Sequence, residues 1–525
     1  MKKLIYSLLA LTVVSSCTKL DEEVYKNIAS KDFYQSEEDL KTAMVSGYKY
    51  FQTAFGGGDV YNYFMIIEAA SETGAPTRTK SNPHIYNSWG YANDPDNTIN
   101  KWGDAYKIIN QVNAVLGRGA GVEMDAVRKE QILGEAHFMR GLTYFHLLRL
   151  YGGVPIPESY TSDLNNLEIP RKTPDEVYDY IIADLKYAAE KLPKKAERAA
   201  GEKWRATRGA ALALLGKVFL YRGSMTESAH KSAYFQESKK YSLEVINSGE
   251  YQLEEDFKNL WMWYNTANKH GKESIFEVEF GYVGVPGDVP NASRFHIDGG
   301  LNIQDKNFGS YMYYRYGPSL RTYNSFSDQD ARKQATFLTS ITLSTGQGIS
   351  WVAADKGNHP GTQGWPSATP GNLKYYDRSE QSYTTGSPAT NYYVTRFSEV
   401  LLNYAEAENE LNGPGSEAYN KINQVRKRAK LPELKDGLSK EQFADSLYTE
   451  RVHELIGEGQ LYYDALRTGR LGKEVKAEVE YGVGNGLWLY SPLTFRPKKT
   501  FLWKIPTYDL NSSKALVQNP DNQSE

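Results

Sequence analysis

Apolar residues recur along most of this chain at the three-and-four spacing of amphipathic helices. After Ser36-Glu37-Glu38-Asp39, a natural helix start, Leu40, Met44, Gly47 and Phe51 line one face. Gly56-Gly57-Gly58 closes that pattern, and a second runs from Val60 to Ala70. Trp102, Tyr106, Ile109 and Asn113 open another helix. The longest follows, through Ile132, Ala136, Met139, Leu142, Phe145 and Leu148; it is apolar on most sides and so belongs in the interior. Gly152-Gly153 and Pro155 stop it. His137 and His146 within it read as core histidines, because no metal-type His or Cys spacing accompanies them. Thr173-Pro174-Asp175-Glu176 is a capping box with proline at the first helical position. Val177, Ile181, Leu185, Ala188 and Leu192 supply its stripe, and Pro193 ends it.

Two stretches pair as hairpins. Leu212, Leu215, Gly216 and Phe219 have the spacing of the first helix of a tetratricopeptide repeat, with a partner helix from Ser232 to Ile246. Arg396 to Ala407 begins the other; Gly413-Pro414-Gly415 turns it, and Ala418, Ile422 and Val425 make its partner. Between them, Ser274 to Phe280 alternates like a strand, with Ile275, Glu277 and Glu279 on one side and Phe276, Val278 and Phe280 on the other. From Gly281 to Tyr393 helical periodicity disappears, and a stretch of that kind carries function or short strands. Glu72 to Asp96 is a smaller loop, punctuated by Gly74, Pro76, Pro83, Gly90 and Pro95. The pattern predicts a mostly α-helical unit in which hairpins from both ends of the chain pack together. The insertion should form loops and small strands on one side.

Composition changes that picture in four ways. A chain of 525 residues can bury a large core, and length alone suggests roughly three domains. Net charge is -3 and the pI is near 6.3, so the basic footprint of a nucleic-acid binder is missing. Tyrosine is abundant, 40 against 19 Phe and 9 Trp, and a flat ring with a polar tip suits half-wet binding surfaces as well as helix packing. Mean hydropathy is -0.59, and past the N-terminus no apolar run is long enough to span a bilayer.

The N-terminus has its own chemistry. Lys2 and Lys3 precede an apolar run from Leu4 to Val14, the layout of a secretory signal. It ends Val14-Ser15-Ser16-Cys17, similar to a bacterial lipoprotein processing box, and Cys17 is the only cysteine. A core thiol is the ordinary reading of a lone cysteine; its place directly after a signal favours lipid attachment instead. Residues 1–16 are then a signal peptide, and the mature chain holds no disulfide. Stable anchoring takes more than one acyl chain. Asp21, Glu22 and Glu23 follow closely.

The densest motif lies at Glu450 to Arg467. Ser439 with Gln442 forms a capping box ahead of it, and Gly457 and Gly459 break the helix before a short second one through Leu461 and Leu466. Arg451, Glu454 and Glu458 share a helical face, so the expectation is that they pair along it, as a structural ion-pair row rather than a catalytic group. Glu450, Arg451, Glu454, Leu455, Glu458, Gly459, Gln460, Asp464, Leu466 and Arg467 resemble the signature of the SusD/RagB family, outer-membrane nutrient-binding lipoproteins of the Bacteroidetes. Ala465 before Leu466 departs slightly from it. Matches also occur at Tyr151-Gly152-Gly153-Val154-Pro155, at Pro318, Leu320, Phe326, Asp330 and Arg332, at Leu373-Lys374-Tyr375, at Leu502-Trp503-Lys504-Ile505-Pro506 and at Gln518-Asn519-Pro520.

The resemblance implies a SusD-like fold of tetratricopeptide-like hairpins, with an N-terminal region over residues 17–225 and a C-terminal one over 270–525 packed as one unit. It implies a surface lipoprotein of the outer membrane that carries no cofactor. Such a protein captures oligosaccharides and passes them to a SusC-like TonB-dependent transporter. A RagB-like peptide receptor and a surface glycoside hydrolase are the competing readings. A sugar offers apolar C–H faces and a rim of hydroxyls, so its site needs exposed aromatics beside amides or carboxylates. By location, the resemblance points to Trp89, Tyr91 and Asn93 in the early loop, and to Tyr311, Tyr313, Tyr314, Trp351 and Trp365 in the insertion. Local packing accounts for any one of them about as well. Nucleotide-loop, nucleophile-elbow and zinc-protease motifs are missing; His453-Glu454 has no second histidine at the needed offset. Gly482-Val483-Gly484-Asn485-Gly486 reads as a plain turn.

Overall fold

Helix caps and apolar stripes set the local structure. The computed structural model describes residues 33–55, 67–76, 101–161, 168–262, 269–281, 305–307, 316–350, 370–385, 388–485 and 502–519. The N-terminal half supplies α1 (Glu37–Phe55), the short strand β1 (Gly74–Pro76), α2 (Lys101–Gly119), α3 (Ala126–Tyr151), α4 (Pro174–Lys191), α5 (Arg208–Met225) and α6 (Lys231–Asn247). The middle holds β2 (Ser274–Val278), β3 (Tyr316–Pro318), α7 (Leu320–Ser325), α8 (Ala331–Thr336), β4 (Phe337–Leu338), β5 (Ser340–Thr342), β6 (Gly348–Ser350), β7 (Gly371–Asn372) and α9 (Glu380–Thr385). The last part is β8 (Tyr392–Arg396), α10 (Phe397–Asn412), α11 (Ser416–Arg428), α12 (Lys440–Leu455), α13 (Leu461–Arg467), α14 (Leu471–Gly484) and α15 (Thr507–Ser512).

Both predicted capping boxes form. Thr173 accepts from the Glu176 N–H while the Glu176 carboxylate takes the Thr173 N–H, and Ser439 and Gln442 do the same. Each long helix packs on the next, from α1 through α6, across connections of very different length. The stack then skips the insertion: α10 packs on α6, and α11 and α12 pack on α10. Leu220 of α5, Phe235 of α6 and Ala407 of α10 form a small buried cluster at that junction. Hairpins from both ends of the chain therefore share one stack, as the pattern predicts. Helix α3 is buried along almost all of its length from Ile132 to Tyr151. Its charges are matched inside: Glu135 receives Arg198 at 2.8 Å and Arg205 at 2.9 Å, and Arg140 grips Asp184 through two bonds of 2.8 Å. His146 lies on Arg149 at 2.8 Å and is a core histidine, whereas His137, on the same Asp184 at 2.5 Å, is only half-buried.

The C-terminal segment closes on the end of α3. The Trp503 N–H donates to the Leu150 carbonyl at 2.7 Å. Arg171 donates to the carbonyls of Tyr151, Gly153 and Val517 and to Asn519, which in turn donates to the Trp503 carbonyl. The two terminal motifs thus staple the tail to the Gly152-Gly153 turn.

Three local expectations are corrected. Strand β2 alternates in sequence, yet all its residues are buried: β8 pairs with it, and Glu277 is held by His270 at 2.8 Å instead of facing water. Gly482 and Gly484 lie in the last turn of α14 rather than in a plain turn, with Glu478 buried one turn earlier. The insertion holds paired short strands, as expected, but also the three short helices α7, α8 and α9.

Candidate functional site

The signature segment is the junction on which the insertion is built. Helix α12 ends at Leu455, and Gly457 and Gly459 then take φ of +76° and +67°. A Cβ on Gly457 would sit 2.6 Å from the Asn372 amide of β7, so glycine is required there twice over. The carboxylates around this turn do not pair along their own helix. Glu450 takes Arg332 at 2.7 Å and Arg426 at 3.0 Å. Glu454 takes Arg332 at 3.0 Å, and also Arg396 and Arg428. Glu458 takes Lys374 at 2.7 Å and Arg396 at 2.8 Å. Arg451 turns away to Asp464 at 2.9 Å and Asn403 at 2.8 Å. The expected row is therefore a set of cross-links from α12 to α8, β7–α9, β8 and α11. The reason is desolvation. These groups are buried, and a dry charge needs several partners, which one helix face cannot supply.

The electrostatics follow. Burial raises the Glu454 carboxyl, but Arg428, Arg396 and Arg332 outweigh it and hold the group well below the usual carboxylate range. Burial pulls Lys374 down to about 8 against the opposing attraction of Glu458.

The same turn grips the root of the early loop. Glu68 is fully buried, and its carboxylate accepts the N–H groups of Gly457 at 2.7 Å and Gly459 at 2.9 Å and the Thr73 hydroxyl at 2.9 Å. Burial pushes Glu68 up to about 7 against those donors. Glu72 is likewise pushed up to about 7 by burial, and accepts the Tyr448 hydroxyl at 2.5 Å. From there β1 pairs antiparallel with β3, Gly74 opposite Pro318 and Pro76 opposite Tyr316. The chain leaving Pro76 and the chain entering Tyr316 therefore meet at one end of one ribbon. Strand β7 packs on β3 and pairs with β4, Gly371 opposite Leu338. The roots of the early loop and of two stretches of the insertion are thus joined, and the Gly457 turn touches both Glu68 and Asn372.

Trp89, Tyr91, Asn93, Tyr311, Tyr313, Tyr314, Trp351, Trp365 and Cys17 all lie outside the described residues. Sequence reasoning missed Glu68 and Glu273, the latter gripping Arg396 at 2.7 Å and Arg428 at 3.1 Å. Neither sits in a recognisable motif.

One arrangement imitates a hydrolase. The Ser325 Oγ lies 3.0 Å from His453 Nε2, and His453 Nδ1 lies 3.9 Å from Asp330. The Ser325 hydroxyl donates to the Thr322 carbonyl at 2.7 Å, so its proton faces away from the imidazole. The His–Asp gap is too long for the orienting bond, and Asp330 is held by Arg332. Burial, with Arg332, pulls His453 down to about 4, which suits a packing residue whose ring lies tilted against Phe326 at 4.0 Å. Among the described residues no group of His, Cys, Asp and Glu has the layout of a metal site.

The comparisons with known proteins agree with this architecture. The model of the SusD family matches residues 272–521, and a second family model, described as starch-binding and associating with the outer membrane, matches residues 20–220. The chain belongs to the SusD/RagB family. A SusD-like protein of Formosa agariphila, P2, is 27% identical over 98% of both chains. A SusD-like protein of Bacteroides ovatus is 24% identical over 78% of this chain and 73% of its own. Among solved structures, a SusD homolog from Bacteroides thetaiotaomicron superposes with a TM-score of 0.77 at 24% identity, covering 93% of this chain and 98% of that one. A laminarin-binding SusD-like protein gives 0.72 at 22% identity over 93% and 100%. Surface glycan-binding protein A from Bacteroides uniformis gives 0.72 at 24% identity over 92% and 99%. In this SusD-family chain the signature turn is a structural clamp on the loop roots.

Proposed function

We propose that the protein is a cell-surface glycan-binding lipoprotein that captures oligosaccharides and delivers them to a SusC-like TonB-dependent transporter. The observation that carries this reading is the β1–β3 ribbon. It joins the roots of two segments that hold Trp89, Tyr91, Asn93, Tyr311, Tyr313 and Tyr314, the side-chain types that stack on sugar faces and bond their hydroxyls. The laminarin-binding and surface glycan-binding neighbours, and the starch-binding description of the N-terminal family model, support the same ligand class. An array of glycans and peptides tests it. Glycan binding without release of reducing ends is expected; binding of peptides alone would make it a RagB-like receptor, and turnover a hydrolase. Trp89→Ala is expected to weaken binding by about 1–3 kcal/mol, the scale of one aromatic contact, with the fold intact. Unchanged affinity would move the site elsewhere.

Location and partner are tested together. The wild-type chain, acylated at Cys17, is expected in the outer-membrane fraction and to bring down a TonB-dependent barrel on affinity purification. Cys17→Ala is expected in the soluble fraction. A variant that stays membrane-bound counts against the anchor, and wild-type protein recovered without a barrel counts against delivery.

A further inference from the structure

We infer that Glu68 fastens the root of the early loop as a protonated carboxylic acid, in a ring with Thr73 and Ser71 that makes the joint between β1 and the signature turn proton-dependent. The inference stands apart from the glycan reading, because it concerns this joint whatever the loop binds. Three oxygen–oxygen contacts form the ring. Glu68 Oε1 lies 2.9 Å from Thr73 Oγ1, Thr73 Oγ1 lies 2.7 Å from Ser71 Oγ, and Ser71 Oγ lies 2.7 Å from the Glu68 main-chain carbonyl oxygen. Each is a hydrogen-bond distance and needs one hydrogen between its oxygens. The two hydroxyls supply one each, and the carbonyl supplies none. The Thr73 N–H reaches Ser71 Oγ at 3.2 Å from outside the ring and fills none of the three contacts. With Glu68 ionised, one contact is left as two facing lone pairs, whichever way the hydroxyls turn. With Glu68 protonated, all three close in one direction: the carboxyl donates to Thr73, Thr73 to Ser71, and Ser71 to the carbonyl.

The surroundings favour the acid. Glu68, Ser71 and Thr73 are all buried. Glu450, Glu454 and Glu458 each touch a cation, but among the described residues none touches Glu68. Lys374 faces it, yet donates to the Glu458 carboxylate and the Glu454 carbonyl. Tyr375 faces it from the same segment as Lys374, and Glu72, from its own segment, repels its anion. Glu72 in turn faces Tyr448 of α12, Glu474 of α14 and Arg321 of α7. Burial is the largest influence on Glu68 and pushes it up to about 7, so the ring gains and loses its proton near neutral pH. That value lies above the ordinary carboxylate range. The stabilisation is therefore fully present in acid and is lost as pH rises through about 7. Ionisation opens a contact at Thr73, whose carbonyl takes the Ser319 N–H at 2.7 Å beside the β1–β3 pairing. The proton thus acts on the ribbon.

Infrared titration of the full mature chain tests the proton, from about pH 6 to about pH 9, a range in which ordinary carboxyls are already ionised. The carboxylic-acid carbonyl band of Glu68 is expected at the acid end and should disappear near neutral pH. Glu72→Gln removes the neighbour's band and should keep that of Glu68. Ser71→Ala deletes the competing acceptor. The Thr73 hydroxyl is then free to donate to ionised Glu68, so the midpoint should fall well below its wild-type position. Deuterium exchange of peptides spanning residues 67–76 and 455–460, corrected for the intrinsic pH dependence, tests the joint. Opening is expected to rise about fivefold from the acid to the alkaline end in Glu72→Gln, whose neighbour no longer titrates; that is the scale of one lost hydrogen bond. It should stay level when Ser71→Ala is added. No acid band for Glu68 in this range, or a midpoint that Ser71→Ala does not move, overturns the protonated acid. Corrected exchange that is level in Glu72→Gln overturns the proton-dependent joint.

Discussion

Glu454→Ala is expected to cost about 3–5 kcal/mol of stability, the scale of leaving buried charge without its partner. Arg332, Arg396 and Arg428 all converge on this one carboxylate, and each is almost fully buried. Their other partners do not replace it. Asp330 already bonds Arg332 through both oxygens, and Glu273 is shared between Arg396 and Arg428. Glu450 stays on Arg332 and Glu458 on Arg396, but the three guanidinium groups lose the one carboxylate they share and repel one another in a buried site. Glu454→Gln separates shape from charge, because it keeps the volume and one acceptor. It should recover only a minor part of the loss. Urea denaturation of the three proteins measures this; a cost below about 1 kcal/mol for alanine, the range of surface pairs, would mean the cluster does not hold the insertion.

Gly457→Ala is expected to be the next most damaging single change, about 2–4 kcal/mol from left-handed backbone strain plus a disturbed buried acceptor. The residue sits at φ +76°, and its Cβ would displace the Asn372 amide 2.6 Å away. The Gly457 N–H also caps Glu68. A shift there moves both β7 and the base of β1, so glycan affinity should fall even at temperatures where the variant stays folded. Gly437→Ala is the control: its φ is +97°, but nothing lies within 4 Å of the added Cβ. It should lose stability from backbone strain alone and bind normally. Melting curves with calorimetric titration of both variants decide the matter. Equal loss of binding in the two would remove the link between this turn and the loop roots.

Much of the helical architecture was legible from residue order. Thr173 with Glu176, and Ser439 with Gln442, close their boxes within one helical turn, so sequence spacing is enough to see them. Helix α3 reads as buried because apolar residues occupy most of its faces. The junction of α6 with α10 could be anticipated only as hairpins packing together, not as this particular contact. The charged row failed for a definite reason. Arg451 and Glu454 are close along the helix, but their partners Asp464, Arg332, Arg396 and Arg428 come from elsewhere in the chain.

The sequence by itself determined most of the long helices, two of their capping boxes, the hairpins and the family, because those depend on backbone hydrogen bonds and on apolar spacing within a few residues; the end of α14 and the short helices of the insertion it did not. Only the tertiary structure decided which charges neutralise one another and where the loop roots meet. Glu68 and Gly457 lie 389 residues apart, and nothing local marks them as partners. A buried carboxylate must be met by whichever donors the packed helices bring to it, and that choice is made by three-dimensional approach rather than by position along the chain.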